Sequence, residues 1–235
     1  MTLLAFFIKG ATGFGTALVM VPIFSVVVGV RDAIVISSIL DTIAGTILFF
    51  RDPLHDSRKF WIPMAAGMVL GSIVGGLVLK LVPIESFKFA LGLVVAALGL
   101  WFLFRKNGNN KTLPELPPER ATAADISVST FSGLCGGLFG ISGPPIVYWL
   151  GSRLAKTAFR STLVAVFLFG GIARLTTYTA TGLLGLRSLS ISAVALPGLL
   201  VGLFLGNHLF VHINERWFSR LIGVILIASS IRLLI

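Results

Sequence analysis

Long apolar runs separated by short polar punctuation set the pattern of this chain. Eight windows follow one another: Leu3 to Gly29, Asp32 to Phe50, Phe60 to Val82, Phe87 to Phe104, Ala123 to Leu150, Thr157 to Gly182, Leu189 to Ile213 and Trp217 to Ile235. Runs of about 20 apolar residues match the hydrocarbon thickness that a helix must cross, so the pattern predicts an all-α integral membrane protein. Between the fourth and fifth windows lies RKNGNNKTLPELPPER, Arg105 to Arg120, whose Asn, Gly, Pro and charges cannot pack a core. It reads as a linker. The chain then divides into an N-terminal membrane repeat over residues 1–104, a linker over 105–122 and a C-terminal membrane repeat over 123–235.

Composition removes the soluble alternative: 56% of residues are apolar and 12% charged, against about 45–50% and 25% in soluble domains. The 19 Lys and Arg outnumber the 9 Asp and Glu, for a net charge of +10. In a soluble chain that excess would suggest nucleic-acid binding. Here the basic residues lie mostly in short connections, which suits cytoplasmic loops and anionic headgroups, so the expected partner is the lipid bilayer and not a nucleic acid. The single thiol, Cys135, reads as a packing residue. The first window has no basic leader and runs on to Gly29, so it is expected to stay as a membrane segment.

The two halves resemble each other. Each opens on a glycine-rich window, with GATGFGTALVMVP at Gly10 to Pro22 and GGLFGISGPP at Gly136 to Pro145. Each third window carries a proline followed by glycines at helical spacing: Pro63 with Gly67, Gly71 and Gly75, and Pro197 with Gly202 and Gly206. Such small-residue faces let helix backbones approach closely in lipid. Gly costs about 1 kcal/mol and Pro about 3 kcal/mol inside a helix, so the glycine-rich openings read as broken helices; the competing reading is close packing alone.

The positive-inside rule separates two topologies. Eight full crossings place equal numbers of basic residues in the connections on the two faces, and the bias vanishes. If the first and fifth windows instead enter and leave by one face, twelve basic residues lie on one side against five on the other. This favours two inverted repeats of about four hydrophobic segments each, the first segment of each re-entrant. Both termini are then outside and the linker is cytoplasmic. Eight crossings remain the alternative.

Inverted repeats with paired interrupted segments are a recurring plan of secondary transporters, because the backbone N–H groups freed at a break must line a cavity and attract anions at helix N-termini. The expected meeting points are Phe14-Gly15-Thr16, next to Gly13, and Ile141-Ser142-Gly143, with Thr12, Thr16 and Ser142 supplying hydroxyls. Ionisable residues within windows are expensive and mark pathways or pairs. Lys9 precedes the first break, where it faces the pocket or, in a full-crossing chain, snorkels to the surface. Asp41 sits mid-window and must be protonated or paired, either as the proton-coupling group of a symporter or as a structural partner of Lys9 or Arg174. Arg174 and Arg160 offer the planar donor geometry suited to an oxyanion. Two Arg and one Lys against one Asp argue for a small anionic substrate.

His208 and His212 stand one turn apart with Glu215 nearby, but interfacial histidines account for them better than a metal site. Trp61, Trp101, Trp149 and Trp217 lie near window ends, as in an interfacial aromatic belt. The chain has no GxxxxGK[ST] loop for ATP and no Ser/His/Asp set, so neither a cofactor nor enzyme activity is expected.

TGFGTALVMVP at Thr12 to Pro22, GLFGISGPPIV at Gly137 to Val147 and AFRSTL at Ala158 to Leu163 resemble motifs of the sulfite exporter TauE/SafE family, part of the toluene sulfonate uptake permease group. The resemblance covers nearly the whole chain and implies transport of small anions, chiefly sulfite, sulfonates and compounds like sulfoacetate, across a plasma membrane such as the bacterial inner membrane. Lys9 and the Gly-Pro-Pro of the second motif are departures from the family pattern or traits of a subfamily. The resulting expectation is a secondary transporter with its site between the two breaks, in which Lys9, Arg160 and Arg174 hold the anion and Asp41 couples a proton. A homodimer through a small-residue face is compatible with it. An anion channel and a non-transporting membrane scaffold are the competing readings.

Overall fold

A window that is apolar on every side folds as a helix in lipid, because each backbone polar group is then satisfied within its own segment. The computed structural model describes residues 1–51, 58–83, 89–93, 95–97, 100 and 117–208. The named helices are α1 Thr2–Thr12, α2 Thr16–Val28, α3 Val30–Arg51, α4 Arg58–Leu81, α5 Ala123–Phe139, α6 Gly143–Gly151, α7 Lys156–Ala180 and α8 Leu186–His208. Among the described residues α3, α4, α7 and α8 are long and apolar enough to cross a membrane. The protein is an all-helical, multi-pass membrane protein. Of the fourth window only 89–93, 95–97 and 100 are described, with Leu91 and Val95 in the core. The eighth window and most of the linker lie outside the described residues.

Both glycine-rich windows are interrupted. α1 stops on Gly13 (φ 82°), whose N–H returns to Lys9 O at 2.7 Å, and the chain passes through Gly15 (φ 99°) into α2. α5 stops on Gly140 (φ 74°), bonded to Gly136 O at 2.9 Å, and α6 starts three residues later. A left-handed residue ends a helix while satisfying one of its last carbonyls, and glycine takes that conformation without steric penalty.

After each break the chain doubles back. In the second half, Asp125 in the first turn of α5 accepts from Trp149 Nε1 at 2.7 Å and from Arg153 Nη1 at 2.6 Å. The end of α6 therefore lies beside the beginning of α5, and the two form a hairpin. In the first half the same conclusion follows from helix directions. Gly198, Gly202 and Gly206 of α8 meet Thr2, Leu3, Phe7 and Ala11 of α1 in ascending order, so α1 and α8 are parallel. α3 and α8 start together, with Ser188 Oγ donating to Asp32 Oδ1 at 3.3 Å. α2 starts at Asp41, midway along α3, and its end joins the start of α3 through Gly29. Thus α2 opposes α3, and therefore α1.

The halves also exchange their opening helices. α1 of the first half packs on α8, the third window of the second half, while α5 of the second half packs in parallel on α4, the third window of the first. The glycine rows make this possible, since a Cβ on Gly71 would overlap the Thr130 carbonyl and one on Gly206 the Phe7 carbonyl. Between these pairs α3 and α7 cross in opposite directions, with Thr42 against Gly171 and Gly45 against Leu168. In eight full crossings the second and sixth windows would run the same way. The outer side of α8, with Val194, Leu200 and Phe204 exposed, presents apolar surface suited to lipid.

Candidate functional site

Two helix N-termini converge where the breaks meet. The start of α2 (Phe14, Gly15, Thr16) and the start of α6 (Ser142, Gly143), together with Asp41 and Phe167, border a small, partly open cleft. Neither N-terminus has a side-chain cap. Their first-turn N–H groups and the positive ends of both helix dipoles are left for whatever occupies the cleft, the arrangement that binds anions at helix starts. Pro144 and Pro145 remove two donors from the first turn of α6, so α2 supplies the larger share of backbone N–H groups.

A charge cluster stands behind the cleft. Lys9 Nζ, one turn before the α1 break, donates to Asp41 Oδ1 at 2.5 Å and to Asp41 O at 2.9 Å. The Thr16 hydroxyl donates to the same carboxylate oxygen. Arg174 Nη2 lies 3.6 Å from Asp41 Oδ2, and its Nη1 donates to Ser142 Oγ at 3.3 Å. Lys9 and Arg174 are each 2% exposed, and Asp41 14%. Two buried cations thus share one carboxylate, leaving one positive charge over in a low-dielectric setting, where uncompensated charge is costly. Charge-assisted bonds run at about 2.7–2.9 Å, so Lys9 is tightly paired. Arg174 is held loosely, and its Nε has no partner among the described residues.

The structure brings together Lys9, Phe14, Gly15, Thr16, Asp41, Ser142, Gly143 and Arg174 from the residues singled out in the sequence. Three others stand aside. The Thr12 hydroxyl lies 2.8 Å from Ile8 O and 2.9 Å from Phe14 O and accepts the Phe14 N–H, splinting the break from within. Gly13 faces Arg160 rather than the cleft; a Cβ there would sit 3.2 Å from Arg160 Cγ. Arg160 Nη2 donates to Asn207 Oδ1, joining the start of α7 to the end of α8.

Some polar partners left no sequence signal strong enough to find them. Asn207 is one, and the Tyr178 hydroxyl, which donates to Gly137 O at 2.7 Å, is another. Asp125 had a local signature in the capping box it forms with Thr122, yet nothing in the sequence tied it to Trp149 and Arg153. Trp149 consequently has a specific hydrogen-bond partner, and Trp61 stacks on Phe169. Trp101, His212, Glu215 and Trp217 lie outside the described residues.

Comparison with known proteins is consistent with this geometry. Searches of curated proteins and of solved structures gave no match. A family model described as "Sulfite exporter TauE/SafE" matches residues 1–233, essentially the whole chain. With two interrupted helical hairpins meeting at a buried cationic cluster and a family match of that extent, the chain belongs to the sulfite exporter TauE/SafE family of membrane transporters.

Proposed function

We propose that the protein is a secondary transporter that moves a small oxyanion, sulfite or an organosulfonate such as sulfoacetate, across the plasma membrane by alternating access. The observation that carries this reading is the convergence of two uncapped helix N-termini on a cleft backed by a buried cluster with one positive charge in excess. The geometry asks for a compact anion with several acceptor oxygens; the sulfur comes from the family. The opposed hairpins and the exchange of α1 and α5 support an inverted-repeat plan, and the excess of basic residues on one face favours a cytoplasmic linker. Such a plan gives two related packings of the same elements.

In this reading the oxyanion accepts from the first-turn N–H groups of α2 and α6 and from Ser142, and draws the loosely held Arg174 off Asp41. Lys9 stays hydrogen-bonded to Asp41, and once that carboxylate is protonated the bound anion balances the Lys9 charge as well. Adding a proton to the Asp41 carboxylate removes the negative charge that competes for Arg174, so proton and anion load together. Arg160 lies outside this ligand set and braces α7 against α8.

The test is a thermal-shift screen of the purified protein against sulfite, sulfate, sulfoacetate, taurine and simple carboxylates, because a ligand that binds the folded state stabilises it by mass action. A shift with a sulfur oxyanion that is lost in Arg174→Gln supports the assignment. No shift with any anion at millimolar concentration, or an unchanged shift in Arg174→Gln, refutes it.

A further inference from the structure

One face of α5 carries Asp125, Ser129, Ser132 and Gly136, spaced by four, three and four residues and therefore aligned along the helix. Asp125, Ser129 and Ser132 are all 0% exposed. At one end of this line Asp125 holds Arg153, whose side chain is 38% exposed. At the other, a Cβ on Gly136 would lie 2.6 Å from Arg174 Nη1 and 2.7 Å from Ser142 Cβ. The line runs from the open end of the α5–α6 hairpin to the charge cluster at its tip.

Its hydroxyls are unanswered. Ser129 Oγ and Ser132 Oγ have no hydrogen-bond partner among the described residues, and the same holds for Ser72 Oγ on α4 and for Arg174 Nε. Helical Ser and Thr ordinarily donate to the carbonyl one turn back, as Ser127 does to Ala123 O at 2.8 Å and Thr130 to Ile126 O at 2.9 Å on this same helix. On α4, Ser72 backs onto α5 at Gly137 and at Gly133, next to Ser132 in the chain. A Cβ on Gly170, one turn before Arg174 on α7, would come within 3.3 Å of its hydroxyl. Buried hydroxyls without partners are costly, and the usual remedy is water bridging two to four polar groups, which this seam supplies.

We infer that the seam between α4, α5 and α7 holds a file of water molecules leading from the Asp125–Arg153 end to Arg174 and Asp41. Only its use rests on the transport reading: the waters pass protons to the Asp41 carboxylate while the anion enters at the cleft. The charged groups facing Asp41 there are Lys9 from α1 and Arg174 from α7. A proton handed along hydrogen-bonded waters ends on an Asp41 oxygen, and only O–H bonds form and break.

The test is thiol accessibility in nanodiscs, in a Cys135→Ser background, with Ser129→Cys, Ser132→Cys and Ser72→Cys exposed to a charged methanethiosulfonate reagent. Only a thiolate reacts, and it forms where water reaches, so the seam cysteines are expected to react at least about tenfold faster than Ala165→Cys, a fully buried position on α7. Hydroxyl-radical footprinting of the unmodified protein gives a second readout, with Met68, whose Cγ faces Gly170 beside Ser72, oxidised faster than the equally buried Met20. Seam cysteines as inert as Ala165→Cys, with Met68 oxidised no faster than Met20, mean dry packing and overturn the inference. Ser132→Val, which fills the seam, is expected to slow proton-driven uptake while keeping the anion-induced thermal shift. Unchanged uptake refutes the assigned use. Loss of every anion response in the parent instead refutes the transport reading, and the labelling still decides whether the waters are there.

Discussion

Asp41→Asn is the most informative single substitution, because it removes the one carboxylate that serves two buried cations. Lys9 Nζ lies 2.5 Å from it and Arg174 Nη2 3.6 Å, and both cations are 2% exposed. Breaking a buried ion pair from one side costs about 3–5 kcal/mol, since the partner charge stays behind without compensation. With Lys9 this close, the expected loss is about 4 kcal/mol. Replacing both partners removes the stranded ammonium, so Lys9→Met/Asp41→Asn should recover at least about 2 kcal/mol of that loss. A sulfur oxyanion should act as a surrogate carboxylate, returning about 2.7 kcal/mol to Asp41→Asn at one hundred times its dissociation constant. The assay is denaturant unfolding in mild detergent followed by tryptophan fluorescence, with and without sulfite. An Asp41→Asn protein as stable as the parent, or a double variant no more stable than the single one, would show that the cluster is not electrostatically coupled as described.

Four further outcomes follow from the packing and the polar contacts. Gly71→Ala puts a methyl group on the Thr130 carbonyl and 2.7 Å from Leu134 N, both backbone; it should cost at least about 1–3 kcal/mol by overpacking. Gly185→Ala, with nothing within 4 Å, should stay within about 0.5 kcal/mol of the parent in the same unfolding experiment. Asp125→Ala removes the acceptor of Trp149 Nε1, Arg153 Nη1 and the Thr122 hydroxyl. It should destabilise by about 2 kcal/mol or more and shift Trp149 emission; an unchanged melting curve would mean that the clasp does not hold the α5–α6 hairpin. Arg160→Gln should lower stability through its lost bond to Asn207 yet keep the oxyanion-induced thermal shift that Arg174→Gln loses. Loss of that shift in Arg160→Gln would return the residue to the ligand set.

The interruptions were legible because their cause is local. Gly13, Gly15 and Gly140 adopt positive φ that other residues avoid, and glycine clusters close to Thr16 and Pro144 mark breaks in apolar sequence. The glycine rows at Gly67, Gly71 and Gly75 and at Gly202 and Gly206 were readable as close-packing faces, again from spacing alone. Their partners were not readable, because the choice of α5 for one row and α1 for the other is made by tertiary packing between halves. Asp41 had to be neutral or paired in a mid-window position, and Lys9 and Arg174 were the available cations. That Arg174 reaches it depends on α7 packing against α3. Arg160 had the same composition signal as Arg174, and only its position opposite Asn207 separates them. Ser129 and Ser132 carried no signal at all, since serines at helical spacing usually bond to their own backbone.

The measurement that bears most directly on the account is uptake of radiolabelled sulfite into proteoliposomes loaded with unlabelled sulfite, comparing the parent with Arg174→Gln and Asp41→Asn, with and without an imposed pH gradient. The account predicts sulfite exchange in the parent, accumulation against its gradient when protons flow inward, loss of both in Arg174→Gln, and loss of the pH-driven accumulation in Asp41→Asn. Exchange by Arg174→Gln at the parental rate, or accumulation by Asp41→Asn that still follows the pH gradient, would contradict it.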